Sequence, residues 1–120
     1  MSKSTNEMRE PTYFVLAALL DGPLHGYAII QRAAEMSGNR VRLATGTLYT
    51  ALDRLTAEGF VRLVSEEIVN GRARRSYGLT DSGAAALKTE AARMEQAAAV
   101  VTSRLRRPGA AVARGKECPA

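Results

Sequence analysis

Three stretches in the first half of the chain carry apolar residues at helical spacing. They are residues 13–20, 24–36 and 45–58, and segments rich in glycine, proline and asparagine separate them. Apolar residues three and four positions apart fall on one side of an α-helix, and glycine or proline ends it. The pattern therefore predicts three consecutive helices joined by short turns.

The second and third helices each have an apolar side. In the second helix the predicted inner face consists of Tyr27, Ile30 and Ala34, with Ile29 and Ala33 beside them. In the third helix the core stripe consists of Leu48, Leu52 and Leu55, with Ala51. The opposite side of the third helix carries Gly46, Thr47, Tyr49, Thr50, Asp53 and Arg54. A solvated helix face usually carries more charge, so these small and hydroxyl side chains suggest another role.

The start of the third helix suits contact with a nucleic acid. Thr45 is expected to cap the helix, and Gly46 lowers helix stability by roughly 1 kcal/mol, less near an end. That loss is explained if a partner must approach the backbone. Helix N-termini attract phosphate, threonine and tyrosine hydroxyls can donate to it, and Arg54 can reach a phosphate or a guanine edge. For this helix alone, a solvated surface with a half-buried Tyr49 is the alternative.

From residue 60 the pattern changes to that of β-strands. Residues 60–69 are rich in β-branched side chains, Asn70-Gly71 follows, and residues 72–79 form a second run. Asn-Gly suits a type I′ turn, so the pattern predicts a β-hairpin. Its tip carries Arg72, Arg74 and Arg75, and Glu66 and Glu67 can pair with some of them. A basic β-tip can bind the DNA backbone or the minor groove.

Residues 80–107 contain the longest helical pattern. Thr80 or Asp81 can cap its start, and Pro108-Gly109 ends it. Its apolar residues follow alternating steps of three and four: Ala84, Leu87, Ala91, Met94, Ala98, Val101 and Leu105. This heptad spacing is typical of two helices packed at a shallow angle. A helix of about 25 residues is nearly 40 Å long, which favours a dimerisation helix over packing on the chain's own first helix.

The first helix is the second predicted contributor to a dimer. A surface helix needs only one apolar stripe, whereas residues 13–20 are apolar nearly all round and must be covered on two sides. A chain of 120 residues has little to cover them with. The pattern therefore favours a partner subunit against this helix, at Tyr13 and Phe14, over full burial within one subunit.

Composition and single residues narrow the function further. The chain has 46% apolar residues, 24% charged residues and a net charge of +5, which favours polyanionic partners. Its one cysteine, Cys118, permits no intrachain disulfide, and its one histidine, His25, lacks partners for metal or triad chemistry. The N-terminus lacks a signal-type apolar run, and residues 13–20 are too short to span a bilayer. We expect a cytoplasmic protein with no membrane contact, cofactor, metal or catalytic residues.

Three segments together resemble the PadR family of bacterial transcriptional regulators. They are LLDGPLHGYAI at 19–29, TGTLYTALDRLTAEGFV at 45–61 and GRARRSYGLTDSGAAAL at 71–87, and they cover most of residues 12–87. The resemblance implies a winged helix-turn-helix repressor that dimerises through its C-terminal and N-terminal helices. Having one C-terminal helix, the chain is similar to the short-tailed branch of the family.

The resemblance also implies roles for individual residues. By matching position, Tyr27, Thr47 and Tyr49 and the hairpin's Arg72, Arg74 and Arg75 would contact DNA. Some short-tailed members bind flat aromatic drugs between tryptophans at the dimer interface, but this chain has no tryptophan. A small-molecule effector in an apolar interface lined by Tyr13, Phe14 and Met94 is an alternative to core packing of those side chains.

The sequence therefore predicts a mainly α fold with a small β-hairpin, namely a winged helix-turn-helix plus a long C-terminal dimerisation helix. The predicted parts are a flexible N-terminus (1–8), a DNA-binding domain (9–79), a dimerisation helix (80–107) and a disordered tail (108–120). The predicted DNA-binding residues are Tyr27, Thr45, Gly46, Thr47, Tyr49, Thr50, Arg54, Arg72, Arg74 and Arg75. The predicted dimerisation residues are Tyr13, Phe14, Leu87, Ala91, Met94, Ala98, Val101 and Leu105.

These features predict a homodimeric transcriptional regulator, a repressor, that binds double-stranded DNA. Helix 45–58 would enter the major groove of a pseudo-palindromic operator, and residues 71–75 would lie on the backbone or in the minor groove. The alternative is a winged-helix protein-interaction module whose basic hairpin docks an acidic partner, since a fold does not determine a function.

Overall fold

The computed structural model describes residues 8–111 and 113. Its elements in chain order are α1 (Glu10–Ala18), β1 (Leu24–His25), α2 (Gly26–Met36), α3 (Thr45–Ala57), β2 (Val61–Val69), β3 (Arg72–Leu79) and α4 (Asp81–Arg106). The predicted order of three helices, a hairpin and a long helix is confirmed, with β1 as an addition. Cys118, residues 1–7 of the predicted flexible N-terminus and most of the predicted tail lie outside the described residues.

The described residues form two compact units. The first extends to Glu90 and holds α1 to α3, the sheet and the beginning of α4; the second begins at Ala91. Within the first unit, α4 buries Gly83, Leu87 and Glu90. The beginning of α4 therefore belongs to the first unit, whereas the sequence analysis placed all of residues 80–107 in a separate dimerisation helix.

The apolar core lies between the helices and the inner face of the sheet. Its largest fully buried side chains are Leu16, Leu19, Ile29, Leu48, Leu52, Leu55, Val15 and Val61. The predicted leucine stripe of α3 is therefore confirmed. Burying large aliphatic side chains of this kind contributes about 1.5–3 kcal/mol each, so this core holds α3 firmly in the unit.

The prediction that a partner subunit covers the apolar stretch of α1 is wrong for most of that stretch. Every residue from Val15 to Leu19 is buried by this chain alone. Leu87, predicted to lie at the dimer interface, is also only 5% exposed and belongs to the same core cluster. The helices, the sheet and the start of α4 together provide more covering surface than the length of the chain suggested.

The second predicted helix begins two residues later than expected. Leu24 and His25 form the short strand β1, which pairs with Tyr77 and Ser76 of β3. This pairing joins segments about fifty residues apart, so no local pattern could predict it. The sheet is antiparallel with the order β1-β3-β2.

The phase of α2 also differs from the prediction. Gly26, Ile29 and Ala33 are buried on its inner side, while Tyr27 is 66% exposed. The prediction that Tyr27 lies on the inner face is therefore wrong. Because the helix begins at Gly26 and packs this glycine inward, its neighbour Tyr27 is turned outward.

The hairpin of β2 and β3, which we call the wing (residues 61–79), confirms the predicted turn. Asn70 and Gly71 both have positive φ, 53° and 77°, as a type I′ turn requires. The strands pair from Val61 opposite Leu79 to Val69 opposite Arg72. A bulge between Leu63 and Ser65 inserts one extra residue into β2.

The start of α4 is fastened to the turn between α3 and β2. The Thr80 hydroxyl accepts a hydrogen bond from the Gly83 amide (3.0 Å), as an N-cap does, and donates one to the Gly59 carbonyl (2.6 Å). Gly83 lies against the Phe60 carbonyl, where an added Cβ would come within 2.9 Å of the carbonyl carbon. Of the two predicted caps, Thr80 is the one observed.

Candidate nucleic-acid interface

A cleft of about 670 Å³ separates the start of α2 from the tip of the wing. His25 and Tyr27 line it on one side, Tyr49 of α3 contributes to it, and Arg72 and Arg74 line it on the wing side. The cleft thus brings together hydroxyl groups and guanidinium groups, the side chains that most often contact phosphate in protein–DNA complexes.

The first turn of α3 lies open to solvent. Thr45, Gly46, Thr47 and Thr50 are all exposed. The N-cap residue is Ala44, which makes no side-chain hydrogen bond, so the prediction that Thr45 caps the helix is wrong. Leu48 donates its amide hydrogen bond to the Ala44 carbonyl, so Ala44 is the N-cap and Thr45 is the first residue of the helix, where the predicted helix also begins. The first amides of α3 consequently have no side-chain cap and keep their partial positive charge.

Gly46 has no packing role within the described residues. A Cβ built at this position meets no heavy atom within 4 Å. Nothing in the fold therefore requires glycine there, although glycine weakens the helix. The expectation that a DNA backbone comes close at Gly46 stays a prediction, and no intramolecular contact competes with it.

Tyr49 is partly a packing residue. It is half-buried against the core, and its ring centroid lies 6.4 Å from that of Tyr77. Its hydroxyl lies directly over Gly26, where an added Cβ would be 2.9 Å from the Tyr49 Cζ atom. The lack of a side chain at position 26 therefore lets α2 approach α3, and it places the Tyr49 hydroxyl at the wall of the cleft.

Arg54, at the other end of α3, is exposed but makes two intramolecular contacts. Its Nη2 donates a hydrogen bond to the Thr12 hydroxyl of α1 (2.9 Å), and its Nη1 lies 3.6 Å from a carboxylate oxygen of Glu58. A DNA contact by Arg54 stays a prediction, but it would have to replace both of these contacts.

The three wing arginines differ in their surroundings. Arg75 Nε donates to a Glu66 carboxylate oxygen at 3.2 Å, which confirms one of the predicted cross-strand pairs. The hydrogen bond and charge of Glu66, followed by the contribution of Tyr77, raise the pKa of the Arg75 guanidinium above its usual value. Arg72 and Arg74 are exposed and, within the described residues, form no ion pair or side-chain hydrogen bond.

Sequence reasoning missed two residues near this surface. His25 was discounted for metal or triad chemistry; it precedes α2 and lines the cleft. Arg42 is exposed two residues before Ala44, the N-cap of α3. A basic residue just before a candidate recognition helix was the available signal for Arg42.

The predicted dimerisation residues beyond Leu87 are at least partly exposed. Met94 is 39% exposed, Val101 55% and Leu105 58%, and Ala98 is also exposed, while Ala91 is half-buried. In the first unit, Tyr13 and Phe14 are half-buried and pack edge to face with ring centroids 5.2 Å apart. Dimer contacts by these residues, and an effector bound among them, stay predictions.

The described part of the chain contains no candidate metal cluster and no candidate membrane span. No group of three or more histidine, cysteine, aspartate or glutamate side chains is arranged to hold a metal ion there. No helix within 8–111 combines the length and apolar character needed to cross a membrane.

The comparison with known families agrees with this geometry. Residues 15–89 match the family model of the transcriptional regulator PadR-like family. The chain belongs to this family. The fold class and the resemblance predicted from sequence are thereby confirmed. Members of the PadR family are transcriptional regulators that bind DNA, which also agrees with the expectation that the chain is not an enzyme.

Two curated relatives extend the match. The chain is 41% identical over 85 residues to the transcriptional regulator Rv3488 of Mycobacterium tuberculosis, covering 70% of this chain and 75% of that protein. It is 48% identical over 77 residues to an uncharacterised 37.1 kDa protein in transposon Tn4556 of Streptomyces fradiae. That match covers 64% of this chain but only 21% of the relative, so the chain spans about a fifth of that protein's length.

Solved structures show the same fold. The crystal structure of Bacillus subtilis PadR in complex with operator DNA matches with a TM-score of 0.59 and 32% identity, over 68% of this chain and 46% of that one. A transcriptional regulator from Clostridium thermocellum, Cth-833, matches with a TM-score of 0.64 and 22% identity, over 77% and 89% of the two chains. The second likeness concerns the fold alone.

Proposed function

We propose that this PadR-family regulator is a dimeric repressor that reads a pseudo-palindromic operator. The first turns of α3 enter the major groove, and the wing tip lies on the backbone or in the minor groove. The observation that carries the proposal is that Arg72 and Arg74, which have no ion-pair partner among the described residues, line one cleft together with Tyr27 and Tyr49. Tyr49 belongs to α3, and the first turn of this helix is exposed and has no side-chain cap.

Selection from a random duplex library tests operator reading directly. We expect enrichment of a site with two related half-sites about one helical turn apart, since a two-fold protein presents two recognition helices. Binding of the selected site should exceed binding of random duplex by about 10³-fold or more at physiological salt. A ratio near one would favour the alternative, in which the basic wing docks an acidic protein partner.

The proposal of a dimer is based on the apolar residues of the second unit. Met94, Val101 and Leu105 follow heptad spacing, and large parts of them are exposed in a single chain. A surface helix with these side chains in water is typical of one that packs against a partner helix. Together with family membership, this supports dimerisation through α4.

Two neighbouring valines allow a matched test of the dimer. Val100 and Val101 are both 55% exposed, but only Val101 lies on the predicted seam. Light scattering after size exclusion should show a dimer for the wild type and for Val100→Glu, and a monomer for Val101→Glu. A monomeric wild type at micromolar concentration, or equal dissociation of both variants, would contradict the seam.

The repressor role is tested by measuring transcription from the promoter upstream of the protein's own gene. We expect transcription to fall as the protein is added and to recover when a competing operator duplex is present. An increase in transcription would leave DNA binding intact but would contradict repression.

A further inference from the structure

The outer part of the wing carries two glutamates as well as three arginines. The strand register places Glu66 opposite Arg75 and Glu67 opposite Arg74. Glutamate weakens contact with a polyanion, because its negative charge repels phosphate. A wing that only bound phosphate would therefore gain nothing from either carboxylate, which suggests that at least one of them has another role.

Only one of these two pairs of opposite residues forms an ion pair. Arg75 Nε lies 3.2 Å from a carboxylate oxygen of Glu66. Glu67 and Arg74 form no ion pair with each other within the described residues, and both side chains are exposed. Two neighbouring positions of similar chemistry thus have different arrangements.

The bulge in β2 determines which residues face each other. Leu63 pairs with Tyr77, and an uninterrupted antiparallel register would then place Ser65 opposite Arg75 and Glu66 opposite Arg74. The extra residue between Leu63 and Ser65 shifts the pairing by one, so that Glu66 faces Arg75 instead. The ion pair between Glu66 and Arg75 therefore depends on the bulge.

Arg75 lies on the face of the wing that continues into the core. Side chains alternate along a strand, so Arg75 shares a face with Tyr77, two residues away. Tyr77 is only 5% exposed, and its ring lies near that of Tyr49 on α3. Glu66, Arg75, Tyr77 and Tyr49 thus form a series of neighbours that leads from the wing to the recognition helix.

We propose that the Glu66–Arg75 pair positions the wing beside α3, and that Arg72 and Arg74, not Arg75, contact phosphate. This inference rests on the proposed function, because it concerns how that same surface meets DNA. Arg75 is accordingly a positioning residue, and its substitution alters DNA binding through the geometry of the wing.

The salt dependence of binding distinguishes a phosphate contact from a positioning role. Each phosphate contact contributes about 0.9 to the slope of log affinity against log salt concentration. Arg72→Ala and Arg74→Ala should each reduce the steepness by about that amount. Arg75→Ala should leave the slope unchanged and lower affinity by up to about fivefold, the effect of losing an exposed ion pair. A slope for Arg75→Ala as shallow as that of Arg74→Ala would overturn the proposal.

Exchanging charges across the strands provides a second test with an internal control. Arg75→Glu should weaken binding, and the double variant Glu66→Arg, Arg75→Glu should restore it to near the wild-type affinity, because the pair forms again in reverse. The matched double variant Glu67→Arg, Arg74→Glu should stay weak, since Arg74 itself meets phosphate. Equal weakness of the two double variants, with unchanged thermal melting, would overturn the positioning role.

The two proposals fail in different ways. A wild-type protein that prefers its selected site no more than random duplex contradicts operator reading. The slopes of the arginine variants can still be measured on random duplex, where phosphate contacts dominate. An Arg75 slope that matches that of Arg74, in a wild type that does prefer its operator, contradicts only the role given to Arg75.

Discussion

The two ends of α3 rest on the same leucine stripe but have opposite surroundings. At the first end, Gly46, Thr47 and Thr50 are exposed, and a Cβ added at Gly46 would meet no atom of the described part of the chain within 4 Å. At the last end, Arg54 is bound to Thr12 and to Glu58. Both ends carry polar groups that could contact DNA, but only at the first end do those groups lack partners among residues 8–111.

This difference between the two ends shows how a binding surface can be identified in a structure. A charged side chain that already has good partners must lose them to bind a ligand, so its charge alone is weak evidence of contact. Arg54 and Arg75 belong to this class, whereas Arg72 and Arg74 do not. The proposed DNA surface therefore consists of the polar groups that the fold leaves unsatisfied. Variants at the two ends of α3 would show whether this distinction holds.

The largest effect is expected for Gly26→Ala. The new Cβ would overlap the Tyr49 hydroxyl, so either the ring or α2 must shift, at a loss of roughly 1–3 kcal/mol in the free energy of unfolding. DNA affinity should fall as well, because Tyr49 lines the cleft. Denaturant unfolding and a DNA titration measure the two effects. Unchanged stability would mean that Tyr49 is not held against Gly26.

An intermediate effect is expected when the two ends are compared directly. Arg54→Ala should lower the free energy of unfolding by about 0.5–1.5 kcal/mol and leave the salt slope of DNA binding unchanged, since it loses an internal hydrogen bond. Thr47→Ala should change stability by less than about 0.5 kcal/mol but weaken operator binding. Denaturant unfolding and fluorescence anisotropy check both variants. A reduced salt slope for Arg54→Ala would place its guanidinium on the DNA and abolish the distinction between the ends.

Gly46→Ala comes last in this order, because it is expected to cause no loss of stability and its effect has the opposite sign. Alanine favours the helix by up to about 1 kcal/mol, less near its end, and the added methyl group would contact none of the residues that the structure describes. The melting temperature should therefore stay the same or rise while operator affinity falls. Full operator affinity in this variant would show that position 46 does not need to be small for DNA.

Patterns that depend on neighbours along the chain were predictable. The leucine stripe of α3, the Asn70-Gly71 turn and the end of α4 each depend on residues within a few positions. Pairings between distant segments were not predictable. The strand β1 exists because Leu24 and His25 pair with β3, and the phase of α2 follows from the packing of Gly26 against Tyr49.

The candidate surface was predicted in part for the same reason. Local sequence identified the wing arginines and the exposed face of α3, but it could not show which arginines have partners. The bulge in β2 places Glu66 opposite Arg75, with which it forms an ion pair. The packing of α1 near α3 brings the Thr12 hydroxyl within hydrogen-bond distance of Arg54. Both partners come from other segments of the chain.

The sequence by itself determined the order and type of the main elements, the family, and the position of the basic turn, because helix and hairpin signals are local. Only the tertiary structure decided that α1 is covered by its own subunit from Val15 to Leu19, and that Leu87 belongs to the core. It also separated the free arginines from the engaged ones. Burial and pairing depend on contacts between segments that are far apart in the sequence. A linear pattern shows which side of a segment is apolar, but it does not show which other segment packs against that side.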